Sequence, residues 1–153
     1  MGDEYRTLWL ALGMDGRALT GPLDAPLTGK EIAVPGFAPA PLRRVKLLGD
    51  GKGFAASTDD GRLLAIPARF DVSFGGGSRS VTPVLGKAAR VELDPNKNPI
   101  DVFAVSIADD GAVAFAAALP ESIALARLRR ETNALSGRAP KSGRRARSLH
   151  PAR

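Results

Sequence analysis

Cysteine is absent from this 153-residue chain, which excludes disulfide frameworks, zinc ribbons and thiol nucleophiles. Histidine occurs once, at His150 beside Ser148, Leu149 and Pro151, so most metal sites and most histidine-based acid–base catalysis are excluded as well. Aromatic residues make up only 5%; Trp9 and the Phe residues are therefore expected in the core and not as stacking platforms. Long apolar runs are also missing. The longest in the body, Ala112 to Leu119, is far short of the roughly 20 residues that cross a bilayer as a helix. The apolar stretch Leu8 to Leu12 follows Asp3 and Glu4 instead of a basic leader, so no signal peptide is expected. Gly29-Lys30, Gly51-Lys52 and Gly86-Lys87 each lack the upstream glycine and downstream hydroxyl of a phosphate-binding loop. These absences predict a soluble, cytoplasmic, non-enzymatic protein with no cofactor, no metal and no membrane partner.

What is present is 44% hydrophobic and 25% charged, with Gly 17 and Pro 12. That composition fits one globular domain of short elements and many turns. The strongest organisational signal is a recurring hairpin. Trp9 to Leu19, Phe54 to Leu64 and Ala104 to Ala114 each read as an apolar run, an Asp-Gly turn (15–16, 60–61, 110–111) and a second apolar run. Asp-Gly suits a type I′ turn, in which both central residues need positive φ. Pro22 and Pro67 each follow the turn glycine by six residues, where a strand is expected to end. In Arg62 to Ile66 and Val102 to Ile107 neither alternate set is clearly polar, which predicts strands buried on both faces in a layered array of small sheets.

The fold class expected is mainly β. Antiparallel hairpin repeats form a pinwheel, propeller-like array or compact barrel or sandwich over 1–120. A C-terminal helix is expected over 121–136. Pro120-Glu121 suits a helix start, Ile123, Leu125, Leu128 and Leu135 give a partial apolar stripe, and Gly137 ends it. Residues 137–153 read as a disordered basic tail, with no acidic residue and few apolar ones. Asp59-Asp60 and Asp109-Asp110 read as turn residues and not as a metal site. Gly75-Gly76-Gly77 reads as a flexible connection.

Charge is unevenly placed. The chain carries a net +6, with +7 from residue 121 onward and −1 before it. Within the body, 43–90 holds nine basic and four acidic residues between two acidic flanks. A positive face there would take nucleic-acid phosphates through Arg43, Arg44, Lys46, Lys52, Arg79, Lys87 and Arg90. The tail would add Arg138, Lys141, Arg144, Arg145 and Arg147. Contacts of this kind are sequence-tolerant and salt-sensitive.

The Asp-Gly-Arg hairpins, together with Ala25-Pro26-Leu27-Thr28-Gly29-Lys30, Val34-Pro35-Gly36 and Gly75 to Ser80, resemble the blades of the C-terminal β-pinwheel of topoisomerase IV and gyrase A subunits. The likeness covers about residues 8–118, some three blades. The basic glycine-rich box of the gyrase version is absent, and Tyr5 lacks the arginine that precedes the family's DNA-cleaving tyrosine. The resemblance thus implies a DNA-contacting accessory module without strand cleavage. The alternative reading is a structural or interaction subunit of a larger assembly, such as a virion or phage tail component, with protein subunits as partners.

Overall fold

The computed structural model describes residues 1–129. Three antiparallel sheets build this part of the chain, and each grows from one Asp-Gly hairpin. The first sheet is β1 (Leu8–Leu12), β2 (Ala18–Pro22) and β3 (Lys30–Ile32). The central sheet is β4 (Arg44–Leu47), β5 (Gly53–Ser57), β6 (Arg62–Gly75), β7 (Ser78–Leu85) and β8 (Ala89–Glu92). The third is β9 (Phe103–Ile107), β10 (Val113–Ala118) and β11 (Ile123–Leu128). The mainly β expectation holds, and so does its repeat of small sheets.

The three Asp-Gly pairs are hairpin turns, but of a different type from the one expected. Each loop has three residues, closed by Gly13 N–H to Arg17 O, Thr58 N–H to Arg62 O and Ala108 N–H to Ala112 O. Only the glycines, Gly16, Gly61 and Gly111, take positive φ, at 77–80°. The turn is therefore a type I turn finished by a left-handed glycine bulge. The aspartate contributes its carboxylate instead of an unusual φ: Asp15 accepts from Arg17 N–H at 3.0 Å and Asp110 from Ala112 N–H at 2.9 Å. A type I′ turn lies instead at Gly76-Gly77, where both φ values are positive and Gly75 pairs with Ser78. The segment expected to be a flexible connection is thus the tip of the β6–β7 hairpin.

Pro22 ends β2, but Pro67 lies inside β6. On one edge of β6, β8 pairs with Arg62–Ala65 and β7 with Ala68–Gly75. Between them Gly86, Lys87 and Ala88 oppose only Ile66 and Pro67, a bulge that shifts the register. The missing N–H of Pro67 falls in that gap, so the ladder keeps all its bonds. The other edge of β6 pairs with β5 only as far as Pro67. Beyond it β6 and β7 continue as a two-stranded arm.

The segment after residue 120 is strand and not the expected helix. Leu119 N–H bonds Ser122 O at 2.9 Å across Pro120-Glu121, and β11 returns along β10. Ala124, Ala126 and Leu128 alternate inward, and Ala126 and Leu128 help cover Phe103 and Phe115. This burial outweighs the helix propensity of Ala, Leu and Arg, a weak preference beside tertiary packing. The boundary drawn at 120 therefore falls in the turn of a hairpin. Residues 130–136 of the expected helix, and the whole 137–153 segment, lie outside the described residues.

The central sheet is covered on both faces. Side chains alternate, so Ala55, Leu63 and Ala65 meet Phe103, Val113, Phe115 and Ala117 of the third sheet. Phe54 and Ile66 meet Leu10 and Ala18 of the first, while Ala56 and Leu64 pack with Leu42 and Leu12. Every residue of β5 is buried. Two-sided burial holds for Arg62 to Ile66, and each large side chain so buried contributes about 1.5–3 kcal/mol. It fails for Val102 to Ile107, where Val102, Ala104 and Ser106 face outward on the uncovered side of the third sheet.

Candidate functional site

Four of the seven candidate basic residues of the body meet at the seam between the central and third sheets. Arg43, just before β4, forks onto Asp101 (Nε to Oδ1 2.7 Å, Nη2 to Oδ2 3.1 Å) and reaches Asp59 with Nη1 at 3.1 Å. Arg44 joins the same carboxylate at 3.5 Å. The hydrogen bonds from Arg43 hold the Asp101 carboxyl below its ordinary value, and Asp101 and then Asp59 push the Arg43 guanidinium up. Lys46 donates to Phe103 O at 3.0 Å with its ammonium 4.4 Å from the Phe103 ring centroid. Lys52 donates to Asp109 Oδ1 at 3.0 Å and to Ile107 O at 3.5 Å.

These contacts form one device. Ala118 N–H bonds Val102 O and Ala108 N–H bonds Ala112 O, so the even-numbered residues of β9 face β10 and the odd-numbered ones face its free edge. Lys46 and Lys52 cap two carbonyls on that edge, while Arg43 latches the approach to it through Asp101. A cavity of about 220 Å³ lined by Leu48, Gly49, Lys52, Val105, Ser106 and Ile107 lies along the same seam. The basic residues of 43–52 are in this way engaged across the seam by the Asp101 and Asp109 carboxylates and by backbone carbonyls some 55–58 positions away in sequence.

Arg79, Lys87 and Arg90 lie elsewhere, on or beside β7 and β8 at the opposite edge of the central sheet. Two strands, β5 and β6, separate the groups, roughly 14 Å at normal strand spacing. Arg79 stacks its guanidinium 3.9 Å from the Tyr5 ring centroid. Lys87 is exposed in the bulge, its aliphatic stem alongside Gly36, and Arg90 is exposed on β8. The seven body residues therefore form two separate groups. The tail candidates Arg138, Lys141, Arg144, Arg145 and Arg147 lie outside the described residues.

The most conspicuous exposed feature is the β6–β7 arm. Its eight pairs run from Ala68↔Leu85 to Gly75↔Ser78, about 24 Å of ribbon. One face carries Phe70, Val72, Val81 and Pro83, which are half-buried. A groove of about 340 Å³ between this face and the first sheet is lined by Leu8, Thr20, Pro22, Lys30, Val81 and Pro83, among others. The apolar stripe runs on to Phe74, which is 76% exposed. Phe74 pairs across the ribbon with Arg79. On the opposite face Arg69 forks onto Asp71 at 2.7 and 3.3 Å. The expectation that the Phe residues serve the core fails at Phe74. The available signal was the Phe-Gly-Gly-Gly-Ser sequence, since Gly-Gly between apolar runs marks a tight hairpin.

Two buried carboxylates are structural. Asp3 accepts from the N–H groups of Tyr5, Thr7 and Leu8 and from the Thr7 hydroxyl. Burial pushes its carboxyl up, but these four donors together hold it below the ordinary range. Asp94 accepts from Asn96 N–H at 2.9 Å and Asn98 N–H at 3.0 Å, and these bonds lower it against the opposing effect of burial. Among the described residues no group of three His, Cys, Asp or Glu is placed to hold a metal ion, and no helix is long and apolar enough to cross a membrane. The chain matches no family model, no curated protein and no solved structure.

Proposed function

We propose that the chain is a non-catalytic interaction subunit of a larger assembly, engaging a protein partner through the tip of the β6–β7 arm. The observation that carries this reading is Phe74, 76% exposed at the end of a ribbon that extends past the last pairing of β6 with β5. A two-stranded ribbon is marginal in water by itself, and a bare phenylalanine at its tip adds nothing to its stability. Transfer of that ring into a partner's apolar pocket is worth about 1.5–3 kcal/mol, with Arg79 beside it as a polar anchor. Aromatic and arginine side chains are the residues most often dominant at protein interfaces. The seam supports the same reading from the other side, because Arg43, Arg44, Lys46 and Lys52 are engaged within the molecule.

A second reading keeps nucleic acid as the partner. It rests on the +7 balance from residue 121 onward, and on the pairing of an apolar wedge with a guanidinium at the arm tip, a combination that also suits a nucleic-acid groove. A photo-crosslinking side chain at position 74 of the full chain, compared with one at the exposed Met14, separates the two in native extract. The interaction reading predicts one discrete protein adduct from position 74 and none from position 14. Adducts to nucleic acid, or equal labelling from both positions, would overturn it.

A further inference from the structure

Most sheet edges among the described residues carry a device against strand addition. The exceptions are the side of β6 turned away from β7 beyond Pro67, which bears the Arg69–Asp71 pair, and β11. Met1 and Gly2 pair along β1. β3 has three residues and β8 four. β4 carries Arg44 and Lys46, Pro83 interrupts the outward edge of β7, and Lys46 and Lys52 cap β9. β11 has six residues, Ile-Ala-Leu-Ala-Arg-Leu, with neither proline nor lysine and Arg127 as its one charge.

The register shows which groups this edge presents. Leu119 N–H to Ser122 O makes the even-numbered residues of β11 the ones bonded to β10. The backbone groups of Ile123, Leu125 and Arg127 therefore point outward, without a backbone partner among the described residues. The side chains of the same residues lie on the outer face of the third sheet. Ile123 is 75% and Leu125 76% exposed there, beside Ala104, Ala114, Ala116 and Ala118. A sheet with one face in water normally shows polar residues on that face; here the outer face has Ser106 and Arg127 at one end, and the rest of it is apolar.

We infer that β11 pairs antiparallel with β11 of a second copy, joining two third sheets into one six-stranded sheet across a twofold axis. Self-complementarity selects the occupant. Centred on Leu125, the outward groups of Leu125 meet those of the partner's Leu125, and Ile123 meets the partner's Arg127. In that register the exposed Glu121 faces the partner's Arg129 at both ends, and the two Arg127 side chains stay apart. Opposite charges directly across a ladder stabilise it and like charges destabilise it, so the register is favoured by charge as well as by apolar contact. The joined outer face brings Ile123 and Leu125 of both copies into one patch, as isologous pairing requires. The arm takes no part in this interface, so the inference stands or falls separately from the proposed function.

Sedimentation equilibrium of the full chain tests it. The expected species has twice the 16.0 kDa mass of the chain. Leu125→Lys, at an exposed position, should leave circular dichroism unchanged and give the monomer. Glu121→Arg should raise the dimer Kd about tenfold, and Glu121→Arg combined with Arg129→Glu should restore it. A monomer at every concentration, a dimer indifferent to Leu125→Lys, or a double variant that fails to restore association would each overturn the inference.

Discussion

Leu63 and Leu64 are neighbours on β6, and the layered fold sends them to opposite faces of the central sheet. Leu63 is 0% exposed in the cluster with Phe103 and Phe115, and Leu64 is 2% exposed in the cluster with Leu42 and Ala56. In a sheet with one face in water, one of two adjacent residues is core and the other is not. Here truncating either side chain to alanine removes buried methyl groups and leaves a cavity between sheets, at a cost of about 2–5 kcal/mol. For a domain of this size that is a fall in melting temperature of roughly 6–20 °C. Urea unfolding of Leu63→Ala and Leu64→Ala, followed by far-ultraviolet circular dichroism, measures both. The single tryptophan gives a second probe within the first sheet, since Trp9 Nε1 donates to Pro22 O at 3.1 Å. Coincident transitions with both probes are expected if the layers unfold together. A loss below about 1 kcal/mol for one variant and a full loss for the other would refute two-sided burial.

Acid sensitivity follows from Asp3, Asp94 and Asp101, whose carboxyls are all held below the ordinary 3.8 in the folded chain. Between the folded values and 3.8 the unfolded chain binds more protons, so their stabilisation is complete above about pH 5 and disappears as pH falls through 3.8 and below; a melting temperature that stays flat on acidification would contradict this. Glycine substitutions should separate backbone strain from crowding. Gly76→Ala, with open space around it and φ 57°, is expected to cost about 1–2 kcal/mol. Gly53→Ala adds a clash with the Ile66 carbonyl at φ 138° and is expected to cost about 3 kcal/mol or more; equal losses in thermal melts would show that the central sheet yields there.

The hairpins were legible because apolar runs around Asp-Gly leave few alternatives, and two-sided burial was legible because Leu63 to Ile66 offers no polar face. The turn type was not, since Asp-Gly serves type I′ turns and type I turns with a glycine bulge alike; the loop length and the positive φ confined to the glycine distinguish them. β11 was misread because Ile123 to Leu128 satisfies both a helical stripe and an alternation. The deciding interaction, Ala126 and Leu128 against Phe103 and Phe115, is nonlocal. The charge pattern misled in a similar way. Counting residues in 43–90 gives a positive segment, but Arg43 finds Asp101 and Lys52 finds Asp109 from 57–58 positions away. No short window along the sequence contains those pairs.

The role of the seam is tested most directly by Arg43→Ala combined with Arg44→Ala in the full chain, read by melting temperature and by the salt dependence of binding to a random DNA duplex. Because the Arg43 fork onto Asp101 joins the central and third sheets, the melting temperature should fall, and any duplex binding by the chain should keep its salt slope. An unchanged melting temperature together with a slope reduced by about two, one unit for each phosphate no longer neutralised, would contradict a structural role for the latch and make these arginines a nucleic-acid track.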